Sequence, residues 1–135
     1  MSQKNATIAV INNNKILLLK RGYSAPWMPN KYCLVGGGVD DNESLVDAAI
    51  REAKEEIGLT IDRKELQNIT VNYSDNYSKV VFVLISHEFC VTLNYEHSEY
   101  TWCDFDSCFN LYNQKLLVPR LLTVVKKLNK DGLLL

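Results

Sequence analysis

The segment GGVDDNESLVDAAIREAKEEIGL, from Gly37 to Leu59, constrains this chain more tightly than any other stretch. Placed on a helix at 100° per residue, positions 44–57 put Glu52, Glu55 and Glu56 on one stripe, at i, i+3 and i+4. Val46, Ile50, Ala53 and Ile57 fall on another side and can dock on a core. Ala48 falls within the acidic stripe, where a bulky side chain would obstruct whatever the carboxylates face. Three like charges within one turn repel each other, so a cation is expected to neutralise them. Hard divalent ions with all-oxygen shells do this, and Mg²⁺ in particular joins carboxylates to phosphates. The pattern therefore predicts a metal site suited to phosphate chemistry.

The spacing G-x5-E-x7-R-E-U-x-E-E-x-G-U, with U a bulky aliphatic residue, is carried by Gly37, Glu43, Arg51, Glu52, Glu55, Glu56, Gly58 and Leu59, with Ala53 the softest match. It resembles the box of the Nudix hydrolases. Seven single-residue requirements leave a chance match in one window on the order of 10⁻⁸ to 10⁻⁹. That weighs against the bland alternative, a solvated amphipathic helix with one acidic face.

Around the box the chain is ordinary. It has 135 residues, a hydrophobic content of 47% and a net charge of −1, the profile of one globular domain spanning residues 1–135. No global field favours nucleic acid or an anionic membrane. The charge is uneven, however: Asp40 to Glu56 holds seven acids and two bases, a local −5, which leaves about +4 on the remainder. An acidic metal site within a mildly basic body suits an anionic small molecule. Cys33, Cys90, Cys103 and Cys108 form no CxxC pair and have only two histidines beside them, which argues against structural zinc. MSQKNATIAV lacks the charged start and long apolar run of a signal peptide, and no stretch reaches the roughly 18 apolar residues of a membrane span. A cytoplasmic protein with reduced thiols is expected.

Residues 6–11 and 15–20 are strand-like and joined by asparagines, which predicts a hairpin. Arg21 to Lys31, with Gly22, Pro26 and Pro29, is expected to be a loop, and Tyr32 to Val35 a short strand entering Gly36-Gly37-Gly38. Ser44 is the expected cap of the box helix and Gly58 its stop. Beyond it the patterns predict a strand over 64–71, a polar turn over 72–78, a strand over 79–91 and another over 99–105. A last helix is expected from Pro119 to about Lys130, with Leu121, Leu122, Val125 and Leu128 on one face. Periodicity alone allows α/β or α+β. The resemblance implies the Nudix-type three-layer α/β/α sandwich with a mixed β-sheet.

The resemblance also implies a reaction. Nudix hydrolases cleave a nucleoside diphosphate linked to another group, X, by attack of water on phosphorus, with Mg²⁺ or with Mn²⁺ in its place. Glu52, Glu55, Glu56 and the carbonyl of Gly37 would hold the ion. Glu55 and Glu56 are the expected principal ligands, and Glu52 a further ligand or the base that activates water. Arg51 can support Glu55 at i+4 and pair with Glu43 to fasten the incoming loop, a plain surface ion pair being the alternative. Glu96, with Glu99 second, resembles the acidic loop residue that reaches the metal or the attacking water in such enzymes; solvent exposure is the alternative. His97 is expected to be a loop histidine and Trp102 a core residue. Gly36, Gly38, Lys20 and Arg21 are candidates to meet phosphate, the glycines because they permit close backbone approach.

A tyrosine well downstream of the box marks the dinucleoside polyphosphate hydrolases, and Tyr77 stands near that distance among seven tyrosines. The intact box, the compact single domain and the lack of markers for other substrate classes imply, by the resemblance, a MutT-like enzyme that converts a nucleoside triphosphate to monophosphate and pyrophosphate. The alternatives are a dinucleoside polyphosphate or nucleotide-sugar hydrolase, or a nucleotide-binding module without turnover. A small nucleotide is the expected partner. The resemblance admits a homodimer, although nothing in the sequence marks an interface.

Overall fold

The computed structural model describes residues 3–135. Strand β1 (Asn5–Asn12) turns into β2 (Lys15–Arg21) through Asn13 and Asn14, with φ of 57° and 61°. A two-residue hairpin loop with both residues left-handed follows the twist of its strands, and asparagine tolerates that conformation. The two strands pair only near the turn, at Ile11↔Ile16 and Asn12↔Lys15. Farther on they part, and the chain returns between them. Strand β3 (Tyr32–Cys33) pairs with β2, and β4 (Val35–Gly38) pairs with β1 over Asn5 to Ile8. The glycine run is therefore a strand lodged in the centre of the sheet.

The other edges are closed by β6 (Tyr77–Ile85), parallel to β1 and antiparallel to β5 (Leu66–Ser74), and by β7 (His97–Cys103), antiparallel to β2. One mixed seven-stranded sheet results. On one face lies α1 (Leu45–Ile57), whose Ala48, Ala49, Ala53 and Ile57 meet Ile8, Val10, Leu17, Leu19 and Val35. On the other lie α2 (Phe105–Asn113) and α3 (Leu121–Lys130), with Cys108, Val124, Val125 and Leu128 against Ala9, Ile11, Leu18, Val81 and Val83. This is the expected α/β/α sandwich. Burying each Ile or Leu at these seams contributes roughly 1.5–3 kcal/mol, while the three alanines let α1 approach the sheet closely. Among the described residues no helix is long and apolar enough to cross a membrane.

Several expectations need correction. Strand β6 ends at Ile85, not Val91. Phe89, Val91 and Leu93 instead pack on the α1 side as an irregular strap, and Thr92 N–H donates to the carbonyl of Ile57. The polar stretch 72–78 is mostly strand: only Asp75 and Asn76 turn, and Ser78 Oγ donates to Asn72 Oδ1 at 2.6 Å across the ladder. The strand expected over 99–105 runs from His97 to Cys103, and Phe105 opens α2, a helix the sequence reading lacked. Its signal was available in Asp104, whose carboxylate accepts from Ser107 N–H at 2.8 Å as an N-cap. The last helix begins at Leu121, because Arg120 takes a left-handed φ of 72°.

Candidate active site

Helix α1 starts as expected, with Ser44 Oγ accepting from Asp47 N–H at 3.1 Å, and stops at Gly58 in a left-handed conformation. Between these points its acidic residues do not share one exposed stripe. Glu52 and Glu56 are 8% and 2% exposed and face β4, whereas Glu55 points outward. Ala48, expected beside the open site, lies fully buried in the α1 seam. The helix is rotated so that the edge of its acidic row tucks under the glycine strand.

Both middle glycines are explained by this approach. A Cβ on Gly36 would stand 2.2 Å from the carbonyl oxygen of Ala6 on β1, and one on Gly37 would stand 2.5 Å from the Glu52 carboxylate. Gly36 N–H donates to Glu56 Oε1 at 2.8 Å. Gly38, exposed at the strand end, accepts at its carbonyl from Arg51 Nη2 at 2.9 Å.

Arg51 organises the outer part of the site. Its Nε and Nη2 grip both oxygens of Glu43 at 2.9 and 3.0 Å, and its Nη1 reaches Glu52 at 3.0 Å and Glu55 at 3.3 Å. Glu43 in turn accepts from Asp40 N–H at 3.0 Å, so the incoming loop is fastened to the helix. The hydrogen bonds from Arg51 hold the Glu43 carboxyl below its ordinary range, and the Arg51 pKa rises further through Glu43. Bidentate geometry makes this a clamp, not an incidental surface pair.

The inner part is under electrostatic tension. Burial raises the pKa of Glu56 to about 8, opposed by the Gly36 hydrogen bond and reinforced by Glu52, Glu96 and Glu55. Burial also raises Glu52, with Arg51 opposing and Glu55 and Glu96 adding repulsion. Glu96 is exposed, next to β7, and its backbone carbonyl accepts from Gly22 N–H at 3.0 Å. The fold thus brings Glu96 within electrostatic reach of the box. Glu99 points elsewhere and pairs with Lys20 at 3.1 Å.

Among the described residues no three His, Cys, Asp or Glu side chains stand ready to hold a metal ion. The convergent cage expected from the helix stripe is not formed, because Arg51 neutralises Glu52 and Glu55 from the side while Glu56 sits deeper. The donor chemistry nevertheless fits a hard divalent cation. All the available donors are carboxylate or carbonyl oxygens, and buried Glu56 has no cation of its own within hydrogen-bonding distance.

Behind Glu56 lies a pair that the sequence did not reveal. His97, expected in a loop, is 5% exposed and opens β7. A bulge opposite Lys20 and Arg21 turns it inward. Its Nε2 lies 3.5 Å from Cys33 Sγ and 3.9 Å from Glu56 Oε2, and its Nδ1 has no partner. Burial lowers the imidazole to about 4 and raises the Cys33 thiol to about 12, so both are neutral and the Glu56 contact is not an ion pair. Trp102, expected in the core, is only half-buried and packs at its margin on the α1 side, edge-on to Phe89 at 6.0 Å.

On the α3 face, a cavity of about 480 Å³ adjoins Gly36 and Gly37. Its wall includes Arg21, whose guanidinium lies 5.2 Å from the ring centre of Trp27, and Arg120, 4.5 Å from that of Tyr77. Lys20 is not among its lining residues. Trp27, Tyr73, Lys79 and Arg120 had no sequence signal, because they come from four separate segments.

The NUDIX domain model matches residues 1–126 of this chain. The nucleoside triphosphatase NudI of Escherichia fergusonii is 29% identical over 119 residues, which cover 76% of this chain and 82% of that protein. The crystal structure of a MutT protein from Methanosarcina mazei superposes with a TM-score of 0.73 at 24% identity, covering 95% of this chain and 93% of the other. That of a C. elegans Ap4A hydrolase complex gives 0.69 at 24%, covering 96% and 98%. These two likenesses concern the fold. With the box and its glycine strand in place, the chain belongs to the Nudix family, hydrolases that cleave phosphoric anhydride bonds in nucleotide-linked substrates and generally use divalent metals.

Proposed function

We propose that residues 1–135 form one catalytic unit that hydrolyses a nucleoside triphosphate to a monophosphate and pyrophosphate, with Mg²⁺, or Mn²⁺ in its place, as cofactor. The observation that carries this reading is the row of box carboxylates on α1, of which Glu56 and Glu52 press against Gly36 and Gly37 while Glu55 stands outside, with a nucleoside-sized cavity opening from the same glycines. Glu52, Glu55, Glu56 and the Gly37 carbonyl would hold the ion. When bound, such an ion lowers the pKa of its water and neutralises charge on phosphoryl oxygens.

The remaining work falls to the chain itself. Arg51 fixes Glu52 and Glu55 in orientation by hydrogen bonds from one guanidinium. Glu52 and Glu96 are the candidates to take the proton from attacking water, Glu52 because burial already raises its affinity for a proton. Gly36, on the cavity wall, and Gly38, with open space where a side chain would stand, would let phosphate come near the strand, and Arg21 extends a cation along the cavity wall. The substrate is a small nucleotide, the protein acts in the cytoplasm, and a homodimer is compatible with the reading.

The test is a panel of nucleotides incubated with Mg²⁺, with products resolved by chromatography and one reaction run in ¹⁸O water to locate the attacked phosphorus. Monophosphate and pyrophosphate are expected from a triphosphate, with no turnover in EDTA. Turnover that persists in EDTA, or a panel in which only non-triphosphates react, overturns the reading.

A further inference from the structure

Strand β7 opens on a side chain that strict alternation would point to the other face of the sheet. Trp102 lies on the α1 side and Cys103 on the α2–α3 side, so a regular pleat carries the odd-numbered residues of β7 away from α1. His97 breaks that rule. The pairing jumps from Lys20↔Glu99 to Arg21↔His97, and the bulge brings His97 to Cys33 and Glu56 on the α1 side. Bulges re-aim side chains in this way next to active sites.

Packing alone does not call for an imidazole there. His97 is 5% exposed and its Nδ1 has no partner, whereas leucine or methionine would fill the space without orphaning a polar atom. The Nε2 end is the one in use. Cys33 Sγ donates its only hydrogen to the carbonyl of Leu19 at 3.4 Å, so toward Nε2, 3.5 Å away, the sulfur can only accept. The ring proton therefore sits on Nε2, and Nδ1 is a bare acceptor. That N–H has a weak sulfur acceptor on one side and Glu56 Oε2, 3.9 Å away, on the other.

Glu56 lacks a second donor. Gly36 N–H holds its Oε1 at 2.8 Å, and no hydrogen bond among the described residues ends on Oε2. One hydrogen bond leaves the carboxyl torsion of a glutamate soft, because that torsion is broad and twofold. A Glu56 that holds an ion is a carboxylate, and a carboxylate oxygen outcompetes a thiol sulfur for an N–H. Closing the gap to hydrogen-bond length takes about 1 Å of travel, a small rotation of either group. We infer that His97 is a positioning residue of the hydrolytic site: its Nε2–H secures Oε2 of the Glu56 carboxylate while Gly36 secures Oε1, so that the β7 bulge sets the orientation of a metal ligand. The inference rests on the reading of Glu56 as a ligand given above and adds a residue to it.

Two measurements test this without turnover. In the metal-free protein at neutral pH, long-range ¹H–¹⁵N correlation spectra are expected to show His97 protonated at Nε2; an Nδ1–H tautomer overturns the inference. Mn²⁺ binding, read by electron paramagnetic resonance without nucleotide, separates positioning from packing. His97→Gln keeps an N–H near the Nε2 position and is expected to bind Mn²⁺ within about threefold of the wild type. His97→Leu fills the space without a donor and is expected to bind at least about tenfold more weakly. His97→Met takes its place in the comparison if the leucine variant does not fold. Equal affinity in all the proteins, or an equal loss in the variants with and without the donor, overturns the inference and leaves the metal site standing. A wild type that binds Mn²⁺ no better than Glu56→Gln overturns the metal role in the proposed reaction as well.

Discussion

Glu56→Gln removes a carboxylate that the fold holds against its own preference. Burial, reinforced by Glu52, Glu96 and Glu55, raises its pKa from 4.5 to about 8 even though Gly36 N–H hydrogen-bonds it. Between those two values the folded chain keeps a proton that the unfolded chain has released. The native state therefore binds more protons than the unfolded one, and stability falls as pH rises through the window. At 1.36 kcal/mol per pH unit the full penalty is about 5 kcal/mol, and about 3 kcal/mol of it is present by pH 7.

The glutamine substitution keeps volume and an oxygen for Gly36 but cannot ionise. In urea unfolding with EDTA, the two proteins should be close near pH 5, and the variant should gain by about 3–5 kcal/mol by pH 8. Other titrating groups cancel in the difference. Magnesium should restore much of the loss to the wild type at pH 8, because an ion there replaces the proton, and should do less for the variant. Hydrolysis should fall by at least about a hundredfold in the same variant, which would be more stable and less active. A difference in stability that stays constant from pH 5 to pH 8, or a wild type that gains on the variant as pH rises, would refute the assignment of Glu56 as an uncompensated buried carboxylate.

The glycine strand separates packing from chemistry. Gly36→Ala meets the backbone carbonyl of Ala6 at 2.2 Å and should lose about 1–3 kcal/mol in thermal unfolding. Gly37→Ala meets the movable carboxylate of Glu52 and should instead cost activity, by about tenfold or more, with a smaller loss of stability; the reverse order would contradict the placement of Glu52. For His97, burial and then Arg21 lower the pKa from 6.5 to about 4, so the unfolded chain gains a proton first and stability falls as pH drops between those values. His97→Gln should flatten that acid limb, worth up to about 3 kcal/mol in urea unfolding, and an unchanged slope would count against a neutral buried imidazole. Glu96→Gln should slow hydrolysis about tenfold or more and leave the melting temperature within a degree or two; wild-type kinetics would return Glu96 to a purely solvent-facing role.

What the sequence made legible was whatever depends on spacing along one element. The carboxylates of α1, its Ser44 and Gly58 ends, and the Arg51–Glu43 bridge all follow from 3.6-residue periodicity and local capping. The rotation of that helix was not legible, since it depends on how closely Ala48, Ala49 and Ala53 allow α1 to approach a glycine strand. That approach makes Glu52 and Glu56 buried residues and leaves Glu55 outside. The inner pair of His97 and Cys33, and the cavity walled by Arg21 and Arg120, lay further beyond reach because each joins segments distant in the chain through a bulge or a left-handed loop residue. The splaying of β1 from β2 links these features. By admitting β3 and β4 into the gap, it places Gly36 and Gly37 between the acidic helix on one face and the cavity on the other. A hairpin paired along its full length would close that gap and part the metal-suited carboxylates from the cavity, so the incomplete pairing of the first two strands is itself a condition of the site.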